Sequence, residues 1–309
     1  MISFIIPALN EESNIQVCIR SIRLAMQTKA HEIIVVDNGS DDRTVSVASA
    51  MGARCLSKPN VNVSELRNTG VLHSLGTNLV FIDADVYLSK DWLFEFKNFL
   101  RNVFDKRYFI TGSRCLLPDS SSSFIEKNWF SNLENSNSSY INSGHLITTK
   151  KCFQKIGGFN RKLETAEDYD FCLRASQLKI DILENKKLIA YHTGYPTTIK
   201  NFFLRECWHG KNDISSFRNF INSKTALASI TNSILVVYFM ASAIFKSSYE
   251  FLIPLLLIII LTISLSIIKF KFRSLPNTIS TAICFEIYLL ARSASFFTPN
   301  RRPAARSNN

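Results

Sequence analysis

The sequence predicts an α/β domain built on a mostly parallel sheet with helices on both faces, followed by C-terminal transmembrane helices. Three observations predict this. Short apolar runs alternate with helix-period segments over the first 82 residues, joined by short loops, the mark of a parallel sheet covered on both sides. Polar residues collect where three of those runs end, at Pro7-Ala8-Leu9-Asn10, Asp37-Asn38-Gly39-Ser40 and Asp83-Ala84-Asp85, and ligands bind at the carboxyl ends of strands in such sheets. From Thr225 to Phe297 the composition becomes strongly apolar.

The elements follow in order. Ser3–Pro7 reads as a buried strand stopped by proline. Asn10 offers a helix N-cap, with Glu11 and Glu12 in the first turn, where acids suit the helix dipole. Ile15, Ile19, Ile22 and Met26 then recur at helical spacing. Glu32–Val36 is a second strand. Asp37–Ser40 is a turn, with Ser40 placed to cap a helix that ends before Gly52. A weaker strand lies near Ala53–Leu56, a helix runs from about Ser64 to Ser74, and Leu79–Ile82 is the fourth strand. Beyond it the pattern is less regular. Tyr108–Leu117, Leu146–Thr149 and Ile180–Leu183 look strand-like, and Pro118–Ser139 reads as a Ser/Asn-rich loop around a short helix near Phe124–Phe130.

Composition narrows the function classes. The chain has 309 residues and a formal net charge of +11. Its bases crowd against the apolar segments, with Lys200, Arg205, Lys211, Arg218 and Lys224 before the first and Lys269, Lys271 and Arg273 after the second. That placement points to anionic lipid. No zinc finger or RNA-stacking motif accompanies it, so nucleic acid is not an expected partner. Seven scattered cysteines without a CxxC pair argue against a disulfide framework or zinc site and for a reducing compartment. Ile2–Ile6 is too short for a signal peptide, so the first domain is expected in the cytoplasm.

The chemistry centres on Phe81-Ile82-Asp83-Ala84-Asp85-Val86-Tyr87. In extended chain, residues two apart project to the same side, and carboxylates this close repel unless a cation lies between them. Hard ions such as Mg²⁺ or Mn²⁺ take oxygen ligands and share them with substrate phosphates. The pair reads as a metal–diphosphate site, or as an acidic turn. Asp37 can accept hydrogen bonds from a base N–H, or serve its own turn. Arg67 can offset phosphate or carboxylate charge, or lie solvated on its helix. Glu167-Asp168-Tyr169-Asp170 follows a Gly157-Gly158-Phe159 turn. An acid there can deprotonate an acceptor hydroxyl, or open a helix.

Taken in order, Pro7-Ala8-Leu9-Asn10-Glu11-Glu12, Val36-Asp37-Asn38-Gly39-Ser40-x-Asp42, Arg67-Asn68-x-Gly70, Asp83-Ala84-Asp85 and Glu167-Asp168 resemble the family 2 glycosyltransferases over about residues 2–210. That resemblance implies a Rossmann-like sheet of the GT-A nucleotide-diphospho-sugar transferase type. It implies a nucleotide-diphospho-sugar donor, typically a UDP-sugar, and single displacement with inversion. By the same resemblance Asp37 would bind the nucleobase, and Pro7, Asn10 and Glu12 would line the nucleotide pocket. Arg67 would sit near the base and diphosphate. Asp85, with Asp83 toward the ribose, would bind Mn²⁺ or Mg²⁺, and Asp168 would be the catalytic base. His192 sits where some relatives place a further metal or phosphate contact, or is a satisfied strand-end histidine. Phe203-Leu204-Arg205-Glu206-Cys207-Trp208 lacks the Gln-x-x-Arg-Trp motif of processive synthases, which favours one sugar per cycle. The alternative class is a non-catalytic nucleotide-sugar-binding scaffold or sensor.

The resulting layout is a catalytic domain over 1–200, an interfacial basic and aromatic segment over 201–224, a membrane region over 225–297 and a basic disordered tail over 298–309. Spans are expected at Ala226–Phe245 and Phe251–Ile268, the second with 18 uncharged residues, enough to cross a bilayer. The segment Thr278–Phe297 carries Glu286 and Arg292. It is either re-entrant or interfacial with a cytoplasmic C-terminus, or a true span packed against protein. An enzyme anchored at the inner membrane with its catalytic domain cytoplasmic suggests a lipid-linked or glycan acceptor.

Overall fold

The apolar runs of the first half become buried strands because their side chains are β-branched or aromatic and their neighbours supply the other half of each backbone ladder. In the computed structural model, which describes residues 1–103, 108–134, 140–211, 213–214, 217–245 and 249–298, the chain forms two compact units. Residues 1–119 and 140–194 lie in the first; 120–134 and 195–298 lie in the second.

The first unit runs β1 (Ile2–Ala8), α1 (Glu12–Met26), β2 (His31–Asp37), α2 (Thr44–Ala50), β3 (Arg54–Ser57), α3 (Val63–Leu72), β4 (Asn78–Ile82), β5 (Val86–Leu88), α4 (Trp92–Asn102) and β6 (Phe109–Gly112). In the second unit, a π-helical turn at Glu126–Phe130 leads into α5 (Ser131–Glu134). The first unit resumes with β7 (His145–Thr149), α6 (Lys150–Ile156), α7 (Glu167–Gln177), β8 (Asp181–Glu184) and β9 (Ala190–His192). Seven strands form one sheet in the order β3-β2-β1-β4-β7-β6-β8. Within it β7 alone runs antiparallel to both neighbours, while the remaining pairs are parallel. β5 and β9 form a separate antiparallel pair.

Both faces of the sheet are covered. Ile15, Ile19, Ile22 and Met26 of α1 pack with Phe4, Ile6, Val35, Val80 and the buried Trp92 and Phe96 of α4. On the other face Ile5, Leu79 and Phe81 pack with Phe153, Phe159 and Phe171. Three expectations change. Asn10 does not cap α1; it takes a left-handed conformation (φ 55°), and α1 starts two residues later. Ser40 does not cap α2, which begins at Thr44. Tyr108–Leu117 is a strand only over Phe109–Gly112, because Gly112 (φ 147°) turns the chain out of the ladder.

The second unit continues with α8 (Ile199–Gly210), α9 (Phe217–Asn222), α10 (Lys224–Phe245), α11 (Leu252–Phe270) and α12 (Leu275–Ala294). Trp129 is buried in an aromatic cluster with Phe202, Phe270, Phe285 and Tyr288, which is why 120–134 joins this unit rather than the region expected over 1–200. Segments Lys224–Ile244 and Tyr249–Phe270 are long and apolar enough to cross a membrane, with mean hydropathies of 1.8 and 3.0, and only 17% and 22% of their apolar windows are buried. The segment carrying Glu286 and Arg292 is a single helix. Arg292 binds Glu206 of α8 at 2.9 Å and Asp213 at 3.2 Å, and Glu286 accepts from Asn232 of α10 at 3.0 Å. In α8, expected to lie in an interface, Phe202, Glu206, Cys207 and Gly210 are buried. All seven cysteines are free. The basic tail beyond residue 298 and residues 246–248 of the helical linker lie outside the described residues.

Candidate active site

Strands β1 and β2 pair with Ala8 opposite Asp37, so their carboxyl ends emerge side by side. The loops that follow are sewn together through backbone amides. Asn10 N donates to Ser40 Oγ (2.9 Å), Asp41 N to Asn10 Oδ1 (2.9 Å), Glu11 N to Thr44 Oγ1 (2.7 Å) and Glu12 N to Asp42 Oδ2 (3.1 Å). Asp42 also receives Thr44 N at 2.9 Å, the helix-start role expected of Ser40. Burial works against its ionisation, yet the Thr44 hydroxyl and amide and the Glu12 amide hold its carboxyl below the usual range. Glu12 Oε2 receives both the amide and Nε of Arg43.

Asp37 is 4% exposed. Its carboxylate accepts from Gly39 N (2.9 Å), Ser40 N (3.0 Å) and the Ser40 hydroxyl. A carboxylate offers about four acceptor positions, and bonds within its own turn take three of them among the described residues. Pro7 precedes this loop at the end of β1, opposite Val36.

Asp83-Ala84-Asp85 is not extended. Val86 N donates to Asp83 O at 3.1 Å, which makes the stretch a turn and gives each carboxylate its own partner. Asp83 Oδ1 lies 2.6 Å from Arg67 Nη2. Asp85 Oδ1 lies 3.5 Å from His192 Nε2. The pairing of β5 with β9, which sets Val86 opposite His192, brings the histidine there. Thr193 clamps the same turn, its amide and hydroxyl both 2.9 Å from Asp85 O. At Gly194 a Cβ would come within 1.7 Å of Asp85 Oδ2, so only glycine admits the carboxylate.

A carboxylate oxygen and an imidazole nitrogen 3.5 Å apart form a donor pair that a divalent ion such as Mn²⁺ accepts, and the spacing is close to the ~3 Å edge of an octahedral shell with ~2.1 Å bonds. Among the described residues no group of three or more His, Cys, Asp or Glu is arranged to hold a metal. Two protein donors suit an ion that completes its shell with diphosphate oxygens and water.

Arg67 is 2% exposed. Its Nη1 donates to Glu167 Oε1 at 2.7 Å and its Nη2 to Asp83 Oδ1 at 2.6 Å. Burial alone would lower its pKa, but Asp83 and Glu167 outweigh that and raise it. The guanidinium therefore offsets carboxylate charge, with both Nη groups engaged. The rest of its motif is structural. The Asn68 side chain donates from Nδ2 to Phe159 O (2.9 Å) and accepts at Oδ1 from Phe159 N (3.0 Å), and Gly70 passes β1 so closely that a Cβ would lie 2.4 Å from Ile5 Cγ2.

Asp168 lies in the first turn of α7 and is 7% exposed. It accepts from Tyr169 N (2.8 Å) and Ser143 N (3.2 Å). Burial, then the neighbouring Glu167, pushes its pKa up to about 7, while the two amides and Arg67 pull the other way. Ser143 Oγ also donates to Glu167 Oε1 at 3.0 Å. Gly144 O receives Asp83 N at 3.4 Å, and a Cβ on Gly144 would stand 3.1 Å from Asp83 Oδ2. The sequence reading left Ser143, Gly144, Thr193 and Gly194 without roles, and gave Glu167 none of its own. The available signal was a pair of small residues beside a strand, Ser143-Gly144 before β7 and Thr193-Gly194 after β9.

Glycosyl transferase family 2 is the family whose model matches, over residues 3–155. Among curated proteins, the chain is 29% identical over 212 residues to chondroitin synthase of Pasteurella multocida strain Pm70, across 65% of this chain and 22% of that protein. It is 30% identical over 186 residues to hyaluronan synthase of Pasteurella multocida, across 58% of this chain and 19% of that protein. It thus spans about a fifth of the length of these relatives. Over 93 residues it is 40% identical to glucosyl-3-phosphoglycerate synthase of Mycobacterium tuberculosis strain H37Rv, across 28% of this chain and 29% of that protein. Among solved structures, the fold is similar to mannosyltransferase PcManGT from Pyrobaculum calidifontis, solved with GDP-Man and Mn²⁺. The TM-score is 0.63 at 15% identity, covering 96% of this chain and 86% of that one. The sheet is of the GT-A type, and through residues 3–155 the chain belongs to glycosyl transferase family 2.

Proposed function

We propose that the first unit transfers a sugar from a nucleotide-diphospho-sugar, a UDP-sugar in the leading case, to an acceptor hydroxyl by a single inverting displacement. The observation that carries this reading is the buried chain of charge at the strand ends, in which Arg67 holds Asp83 on one side and Glu167, next to Asp168, on the other.

In this reading Asp37 offers its remaining acceptor position to a base N–H. Pro7, Asn10 and Glu12 wall the nucleotide pocket, and Asp83 faces the ribose. Asp85 and His192 would hold Mn²⁺ or Mg²⁺ against the diphosphate, with Asp83 as a further oxygen donor. The ion, when bound, offsets the negative charge that grows on the leaving nucleoside diphosphate. Asp168 takes the proton from the acceptor hydroxyl. Its raised pKa suits a base that works near neutral pH. The names of the curated relatives, two of them glycan synthases, support sugar donors and a glycan or glycolipid acceptor. The exposed apolar helices α10 and α11 support attachment to a membrane; in this reading it is the inner membrane, the first unit is cytoplasmic, the acceptor is lipid-linked, and one sugar is delivered per cycle.

The test is release of nucleoside diphosphate by the detergent-solubilised full chain across a panel of nucleotide-sugars, followed by lipid extraction of the labelled sugar. Release is expected to need Mn²⁺ or Mg²⁺ and to fall at least about a hundredfold in Asp85→Asn and Asp168→Asn. Nucleotide binding without any release would instead establish the non-catalytic scaffold. Label confined to water-soluble products would remove the lipid acceptor.

A further inference from the structure

Two acids stand side by side at the start of α7, and their surroundings differ in kind. Glu167 Oε1 is gripped by side chains, Arg67 Nη1 at 2.7 Å and Ser143 Oγ at 3.0 Å. Among the described residues, Asp168 is held by backbone amides, those of Ser143 at 3.2 Å and Tyr169 at 2.8 Å. Ser143 therefore touches both acids, one with its hydroxyl and the other with its amide. The same arginine that holds Glu167 also binds Asp83.

We infer that Glu167 is a positioning residue, locked by Arg67 and Ser143, whose work is to seat and electrostatically poise Asp168 as the carboxylate that takes the acceptor's proton. This rests on the glycosyl-transfer reading and deepens it by dividing labour within the acid pair. The physical argument is one of availability. An oxygen that already takes a charge-assisted bond from a buried guanidinium and a hydroxyl bond is a poor proton acceptor, because protonating it would break a buried ion pair. Asp168 uses two of about four acceptor positions, both on amides that stay in place when it changes protonation state. Among the described residues, two further titratable groups feel Asp168: Tyr140 from the segment before Ser143, whose hydroxyl is pushed up to about 12 by burial and then by Asp168, and Cys172 on α7, whose thiol burial pushes up to about 12. Both are neutral near pH 7, which leaves Glu167 as the negative neighbour and Arg67 as the positive one. The peptide after Asn142 places Ser143: Gly144 N binds Asn142 Oδ1 at 2.8 Å and His145 N binds Asn142 O at 3.1 Å.

The experiment compares wild type with Glu167→Gln, Ser143→Ala, Ser143→Thr and Asp168→Asn. It follows nucleoside diphosphate release to water from a nucleotide-sugar with Mn²⁺, between pH 5 and 9. It also records the thermal midpoint of each protein over the same range, a readout that needs no turnover. Glu167→Gln is expected to keep turnover within about tenfold of wild type while its acidic limb moves down by about one pH unit. Asp168→Asn is expected to lose about 10²–10⁴-fold. Ser143→Ala should lower kcat with donor KM unchanged, and Ser143→Thr, which keeps the hydroxyl, should restore it. In the thermal arm, the pH at which wild type loses stability should shift down in Glu167→Gln. Loss of turnover in Glu167→Gln with survival in Asp168→Asn would overturn the inference, as would an acidic limb and a thermal profile that Glu167→Gln leaves unmoved. If wild type releases no nucleoside diphosphate, the glycosyl-transfer reading fails on its own, and the thermal arm still decides whether Glu167 poises Asp168.

Discussion

Arg67 and Glu167, one hundred positions apart in sequence, meet through a buried hydrogen bond of 2.7 Å. The same guanidinium reaches Asp83 at 2.6 Å, so one side chain ties α3 to the end of β4 and to the start of α7. Removing it leaves the buried Glu167 and the partly exposed Asp83 without their shared positive partner. Arg67→Met is expected to destabilise the first unit by about 3–5 kcal/mol, the usual cost of breaking a buried ion pair from one side. Arg67→Lys should recover only part of this, because an ammonium lacks the planar fork that serves both acids at once. Chemical denaturation of the two variants measures the difference, and an Arg67→Met protein as stable as wild type would remove the arginine from its structural post.

Under the proposed function, the pair Asp85 and His192 is expected to impose a metal requirement. With Asp85 and His192 paired, Asp83 held by Arg67, and no cluster of three His, Cys, Asp or Glu among the described residues, an ion would be held weakly until the diphosphate arrives. Mn²⁺ binding, read by electron paramagnetic resonance, is therefore expected to tighten when nucleoside diphosphate is added. Chelation should abolish nucleoside diphosphate release, and Asp85→Asn should lower it at least about a hundredfold. His192→Ala should raise the Mn²⁺ concentration needed more than it lowers the maximal rate. Tight Mn²⁺ binding by the protein alone would contradict this.

The raised pKa of Asp168 fixes two signs. The base form populates above about 7, so release should fall as pH drops below 7, approaching tenfold per unit. Its effect on stability has the opposite direction. A carboxyl whose folded pKa lies above its model value of 3.8 favours the folded state below pH 3.8, and that contribution is lost as pH rises through about 7. Asp168→Asn, which stays neutral, is expected to match wild type near pH 4 and to melt higher at pH 8. A mutant that melts lower at pH 8 would show that Asp168 is held as a stabilised anion instead.

How far the sequence could be read depended on how local the cause was. The strands around Ile5, Val35 and Val80 and the helix carrying Ile15, Ile19 and Ile22 were legible because periodicity and burial are set by near neighbours in sequence. The acids at the strand ends were legible as candidates for the same reason. Asn10 and Ser40 were misread as helix caps because each has a nearer use across the gap between loops, where Asn10 N meets Ser40 Oγ. Asp83 and Asp85 were read as one site because the extended geometry was assumed. The turn that separates their partners depends on β9, more than one hundred residues away, and a three-residue strand such as Ala190–His192 leaves no periodic trace. Ser143 was invisible for a related reason: its two bonds lie 24 and 25 positions away. The aromatic packing of Trp129 with Phe202 and Phe285 joins residues 120–134 to the helical unit, and a Ser/Asn-rich segment gives no hint of it.

Gly194 offers a test of the carboxylate's seat that removes no charged group. A Cβ there would come within 1.7 Å of Asp85 Oδ2 and 2.8 Å of His192 Cε1, so Gly194→Ala must displace the carboxylate, the imidazole or the strand itself. The neighbouring bonds from Thr193 to Asp85 O hold the backbone, which leaves the side chains to move. The variant is expected to fold, since β5–β9 pairing and the main sheet do not use the glycine's side, and to lose metal-dependent release by about a hundredfold. Excess Mn²⁺ should rescue it in part if the donors are spread apart but still present. Unchanged release and unchanged Mn²⁺ titration in Gly194→Ala would mean that Asp85 and His192 do not act together.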